Sequence, residues 1–242
     1  MEKRKTSILL WGVAMVSSLL VVSGCIKSVD HLEPPTPKAY VSIMHLAPTA
    51  PSLDVFFNET KVSNTAFAPG NVTVAYNAID KGAFPITFKK ASSDSVVASI
   101  TCAQYDSLNF YTLFIYNEQA NGPARAVRIR DDFSKLTQSK AFYRFFHASP
   151  NTDAVDLYMD NVKIESGRVL ADNTNSGLLN EFTGVSTAFH TFQVKLAGTD
   201  TVIANLDNVE LLAQNAYTFY LRGLTGGASS SQLSLGLLRA IN

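Results

Sequence analysis

From residue 40 onward, apolar and polar positions alternate with a period of two, in short runs broken by Gly, Pro, Asn, Asp and Ser. Such runs predict half-buried strands. In the first half they are VSIMHL, LDVFFN, VTVAYNA, FPITFKK, VVASITC, NFYTLFIYN and RAVRIR. The second half offers FYRFFHA, AVDLYMD, AFHTFQVKL, TVIANLD, AYTFYLRGL and QLSLGLL. No stretch carries helical periodicity with caps. Strands at intervals of about ten residues, roughly seven to a unit, predict an antiparallel β-sandwich. Phe142-Tyr143 and Phe145-Phe146 break the alternation and put rings on both faces of one strand. One face must fill a core; the other packs under a loop or stands exposed as a stacking platform.

The pattern occurs twice. YVSIMHLAPTAPSLDVFFNETKV at 40–62 aligns with FYRFFHASPNTDAVDLYMDNVKI at 142–164, an offset of 102 residues. This pairs His45 with His147, Pro48 with Pro150, Asp54 with Asp156 and Asn58 with Asp160. SDSVVA at 93–98 then matches TDTVIA at 199–204, and NFYT at 109–112 matches NAYT at 215–218, at an offset of 106. A period of that length means two copies of one domain. The expected fold is all-β: two tandem antiparallel sandwiches of Ig-like or transthyretin-like type, over 40–139 and 140–242. The second copy has gained residues in ESGRVLADNTNSGLLNEFTGVST, 165–187, a loop-rich stretch and the expected seat of functional divergence.

Residues 1–24 read as a signal peptide. Lys3, Arg4 and Lys5 precede an apolar stretch from Ser7 to Val22, too short for a spanning helix. It ends Val22-Ser23-Gly24-Cys25, which resembles a lipobox, so Cys25 is the expected lipidated first residue. Residues 25–39 carry Pro34, Pro35 and Pro37 and read as an extended tether. Ile26 after the cysteine fits an outer-membrane passenger. These features predict a cell-envelope lipoprotein held to the membrane by lipid on Cys25, palmitate included, facing the periplasm or the cell surface. The remaining cysteine, Cys102, has no partner and is expected to be a small buried apolar residue.

Charge removes one class of function. The chain has 20 basic and 20 acidic residues, and no basic run survives loss of the leader, which excludes a nucleic-acid footprint. His45 with Asp54 and His147 with Asp156 bracket Pro-containing turns. If each flanking pair of strands forms a hairpin, histidine and aspartate face one another across it. A His–Asp pair is part of a hydrolytic triad, but no nucleophile recurs: Ser149 aligns with Ala47. The expected role is a structural one, with no catalytic residue, cofactor or metal. Asp153, Asp156 and Asp160 form an acidic set present in one copy only. Asp94-Ser95-Val96, Asp106-Ser107-Leu108 and Asp200-Thr201-Val202 resemble a bacterial O-glycosylation sequon at Ser95, Ser107 and Thr201. The same sequences are also good turn formers.

The pattern H-A-S-P-x-x-x-x-V-D-x-Y with a later Y-T strand resembles the family known as domain of unknown function 4397. It is complete in the second copy as His147-Ala148-Ser149-Pro150, Val155-Asp156 and Tyr158. The first copy has Leu46 and Ala47 within the motif and Phe56 in the tyrosine position. The resemblance implies an exported bacterial β-sandwich, often in tandem and often a lipoprotein, and brings no enzymatic activity. The combined expectation is a monomeric binding or scaffold module for a glycan or an envelope protein. A hydrolase using a His–Asp pair and a fimbrial or surface assembly subunit are the alternatives.

Overall fold

The computed structural model describes residues 36–240; Cys25, expected to carry lipid, and most of the segments expected to be a signal peptide and a tether lie outside the described residues. Thr36–Asn242 forms one compact unit. The first repeat contains β1 (Lys38–His45), β2 (Leu53–Phe57), β3 (Thr60–Lys61), β4 (Asn77–Asp80), β5 (Gly82–Lys90), β6 (Val96–Tyr105), β7 (Phe110–Asn117) and β8 (Ala124–Arg130). The second contains β9 (Ala141–His147), β10 (Val155–Met159), β11 (Val162–Arg168), β12 (Thr183–Val185), β13 (Ala188–Leu196), β14 (Val202–Leu211), β15 (Ala216–Arg222) and β16 (Ser234–Ala240). Each repeat is a sandwich. In the first, β4-β1-β7-β8 faces β3-β2-β5-β6; in the second, β12-β9-β15-β16 faces β11-β10-β13-β14.

Among the described strands, every pair is antiparallel except β1–β7 and β9–β15, which are parallel. The exception follows from chain routing. After β1 and β9 the chain crosses to the opposite sheet, comes back for one edge strand (β4 or β12), crosses again to complete that sheet, and returns in the direction in which it left. Registers confirm the repeat: Asp54 pairs with Lys89 as Asp156 pairs with Lys195, and Val41 with Tyr111 as Tyr143 with Tyr217.

The first core holds Val41, Ile43, Leu53, Val55, Ile86 and Leu113; the second holds Tyr143, Phe145, Val155, Leu157, Phe192 and Phe219. A third cluster joins the repeats. Met44, Leu46, Phe114, Tyr116 and Ile129 of the first pack against Phe146, Ala148, Leu179, Tyr220 and Leu238 of the second. The order of layers is therefore outer, central, central, outer. This explains why β7 and β9 are buried along almost their whole length: strands in a central layer are covered on both faces and lose the two-residue period. The second face of the Phe142–Phe146 strand is covered, so it offers no stacking platform.

The boundaries depart from the sequence reading in three places. The run VTVAYNA forms a strand only from Asn77; Val72 makes a single bridge to Met44 and Val74 stands exposed. Segment 165–187 is largely structured, with the end of β11, a 3-10 helix over Leu170–Thr174, a helical turn α1 (Ser176–Leu179) and β12. Its Asn173, Leu179 and Phe182 are buried, and Asn173 donates to the carbonyl of His147 at 2.7 Å. Much of it is packing material for the junction. Cys102 is exposed rather than buried. On β6, Ile100 pairs with Ile86 and Ala103 with Phe84, so one extra residue at 101–102 reverses the alternation and turns Cys102 outward.

Candidate functional site

The repeated histidine and aspartate do not meet. β1 and β2 lie in opposite sheets, as do β9 and β10, so the hairpin that would pair them across a turn does not form. His45 Nε2 donates to the carbonyl of Pro51 at 3.0 Å, and His147 Nε2 to that of Asp153 at 3.2 Å. In both rings Nδ1 is buried without a partner. Asp54 instead accepts from Ser92 N at 3.0 Å and pairs with Lys61 at 2.9 Å. Asp156 accepts from Gly167 N at 2.8 Å and pairs with Lys163 at 2.6 Å. The recurring ion pair is Asp–Lys at a spacing of seven, which the aligned repeats carry in plain view. Pro48 and Pro150 open the turns between the sheets. Thr49 N donates to Asn117 Oδ1 at 3.1 Å beside the first, and Asn151 pairs with the backbone of Thr225 beside the second.

Each histidine latches the crossover in its neutral form, and the acid response follows. Burial holds both rings below their ordinary value of 6.5. The unfolded chain then binds more protons than the folded one as pH falls below about 6.5, so stability declines on that side. Hydrogen bonds from Lys61 and Lys163 hold Asp54 and Asp156 below 3.8, and their contribution is lost only further down, in the carboxylate range. Thermal melts should fall between pH 7.5 and 5. The double variant His45→Gln/His147→Gln should flatten that slope, and an unchanged slope would assign the acid loss elsewhere.

Other candidate chemistry is dispersed. Asp160 accepts from Thr191 N and sits 2.6 Å from His190 Nδ1, so Asp156 and Asp160 serve different partners, and Asp153 contributes its carbonyl. Among the described residues no three metal-ligating side chains converge. Ser186 Oγ lies 3.5 Å from His190 Nε2, giving a Ser-His-Asp order. The same Nε2 faces the carbonyl of Ser186 at 3.2 Å, however, and a nitrogen donating there cannot take the hydroxyl proton. Ser149 Oγ donates to Gly223 O at 2.8 Å, away from any histidine nitrogen it could use. Ser95 and Thr201 are exposed immediately before β6 and β14, and Ser107 is half-buried between β6 and β7.

A large concavity opens on the first repeat, between its two sheets at the edge formed by β3 and β4. It has a volume of about 1030 Å³. Val41 and Ile43 of the central sheet face Val55, Phe57 and Phe84 of the outer sheet across it. The Phe57 and Phe84 rings lie 6.1 Å apart. Asn58, Ser63, Asn64, Thr65 and Asn77 line the rim. Lys38 and Asp80, also on the lining, bond to each other at 2.5 Å.

The second repeat shows why this space is open. Tyr143 stands in the place of Val41, and Phe145 in that of Ile43. The Tyr143 ring crosses the sandwich interior, and its hydroxyl donates to the carbonyl of Ile164 at 3.0 Å. Ile164 corresponds to Val62, which lines the cleft. The edge strand differs too: β11 has seven residues and β3 only two. One repeat fills this space with the Tyr143 ring; the other leaves a cleft there, with Val41, Ile43 and Val55 buried at its base. A smaller cleft of about 420 Å³ near the repeat junction reaches Asp131, whose carboxylate oxygens are already bonded to Arg144, Thr112 and Tyr76.

These features define a tandem β-sandwich protein with one filled and one open interior. Residues 39–158 match the family described as domain of unknown function (DUF4397), and the chain belongs to that family. No curated protein matches the chain.

Proposed function

We propose that the protein is a cell-envelope lipoprotein whose tandem sandwich is a non-catalytic binding module, with its ligand in the first-repeat cleft. The cleft carries the reading: ligand sites are concave, mostly apolar and set with a few polar groups, commonly at about 300–1,000 Å³. A glycan or a segment of an envelope protein is the expected ligand source. The leader and the Val22-Ser23-Gly24-Cys25 sequence support membrane attachment through lipid, and Ile26 supports the outer membrane. A hydrolase would have to use Ser186, His190 and Asp160, where the ring nitrogen facing the serine is engaged by a carbonyl. An assembly subunit would offer an incomplete sheet; here β16 pairs with β15 along its whole length.

Fractionation, intact mass and ligand screening test the proposal. Cys25→Ala should move the protein from the membrane pellet to the soluble fraction, and the intact mass of the natural form should exceed that of the unmodified chain by acyl groups. Any further mass on a Ser95, Ser107 or Thr201 peptide would mark O-glycosylation; an unmodified mass rules it out. Screening the soluble Thr36–Asn242 unit against polysaccharides and fractionated envelope extract should return a ligand. Clean negatives throughout would demote the module to a scaffold.

A further inference from the structure

We infer that the first-repeat cleft takes a neutral amphiphile, with an apolar chain or ring between the sheets and hydroxyl or amide groups at the rim. This rests on the binding reading above and narrows it to a chemical class. The floor dictates the buried part. Phe57 and Phe84, each half-buried, offer aromatic surface backed by the buried Val41, Ile43, Val55 and Ile79, and none of the six has a side-chain hydrogen-bonding group. A wholly polar molecule placed there would surrender water and gain no partner, which disfavours it.

The rim dictates the head. Its Asn and Thr side chains are uncharged and can both donate and accept, which suits hydroxyls and amides. Ser63 is partly committed, since its hydroxyl accepts from Val55 N at 3.0 Å. The charged side chains on the lining are Lys38 and Asp80, and they neutralise each other. A ligand carboxylate would have to displace Asp80 from Lys38, and a ligand ammonium would have to displace Lys38 from Asp80. Both side chains are solvent-exposed, so neither gives a charged ligand a desolvated partner able to offset the ligand's own loss of water.

The second repeat supplies the control. Val41→Tyr installs the residue found at the equivalent position 143. Its hydroxyl would point to the carbonyl of Val62, as Tyr143 points to Ile164. The variant should fold, because the sister domain already accommodates this side chain, and its ring should occupy the ligand's space. Ile43→Phe, which copies Phe145 of the second repeat, is a second filling variant should Val41→Tyr fail to fold.

The test uses the Thr36–Asn242 unit and four probes, the amphiphiles kept below their micelle concentrations: octyl glucoside, octanoate, octylammonium and free glucose. Binding is measured by calorimetry, and folding by circular dichroism. Octyl glucoside should bind one to one and lose at least about tenfold in affinity in the filling variants. The charged octyl probes and glucose should bind at least about tenfold more weakly than octyl glucoside. Equal or tighter binding of a charged probe, or of glucose, overturns the neutral-amphiphile assignment. If no octyl probe binds but an envelope ligand does, and Val41→Tyr blocks it, the class falls while the site stands. Binding untouched by either folded filling variant removes both.

Discussion

Replacing Arg144 with leucine should destabilise the protein by about 3–5 kcal/mol, the cost of leaving a buried charge without its partner. Arg144 and Asp131 have side chains only 3% and 0% exposed, and their nearest atoms are 2.5 Å apart. The guanidinium also donates to Thr218 Oγ1 at 2.9 Å, Thr112 Oγ1 at 2.8 Å and the carbonyl of Leu179 at 2.9 Å. It lies against the Phe146 and Phe182 rings, 4.7 and 4.4 Å from their centroids. Asp131 is completed by Thr112 and by Tyr76, whose hydroxyl burial pushes well above its ordinary value. Thr112 and Thr218 are equivalent positions in the two repeats, so one arginine bridges a pseudo-symmetric pair. The first repeat has Ser42 in its place, which fixes which repeat faces which. Arg144→Lys should also lose stability, because an ammonium cannot hold the fork of oxygens. Arg144→Leu/Asp131→Leu should recover part of the loss by removing the orphaned carboxylate. Urea melts of the cycle decide it, and a single variant as stable as the parent would show that the pair is not coupled to folding.

Much of this architecture can be read in the residues. The alternation and the two offsets lead to tandem sandwiches, and the registers bear out the alignment. What single-strand patterns do not encode is which strand lies alongside. His45 and Asp54 sit on strands of good pattern, but periodicity cannot say that a short Pro turn leads across the sandwich instead of back along the same sheet. The seven-residue Asp–Lys spacing is the better signal. Cys102 is turned outward by one extra residue in β6, which alternation cannot anticipate. The repeat interface has a signature: NFYTLFIYN and FYRFFHA lack the two-residue period because both faces are covered, and an arginine inside FYRFF demands a buried partner. The cleft is also visible in outline. Aligned copies set Val41 and Ile43 against Tyr143 and Phe145, a volume difference whose meaning depends on knowing that these side chains point inward.

The same interface leads to the second large effect: neither repeat should fold well alone. Severing the chain between 139 and 140 uncovers Met44, Leu46, Phe114, Tyr116 and Ile129 on one side and Phe146, Leu179, Tyr220 and Leu238 on the other, all buried in the intact unit. Each large apolar side chain returned to water costs about 1.5–3 kcal/mol, so the four or five on each fragment together match the usual stability of a small domain, about 5–15 kcal/mol. The break also leaves Asp131 in the first fragment and Arg144 in the second, each without its counterion. Residues 36–139 and 140–242, expressed separately, should aggregate or lack a cooperative transition, and mixing them should restore a one-to-one complex. The intact unit should melt in a single calorimetric transition, with the enthalpy from its temperature dependence equal to the measured heat. Two resolved transitions, or fragments that are monodisperse with dispersed amide spectra, would mean that the repeats are independent beads. The open cleft would then belong to a domain able to work without its neighbour. A single transition instead makes the filled second repeat the rigid support on which the first can keep an open interior.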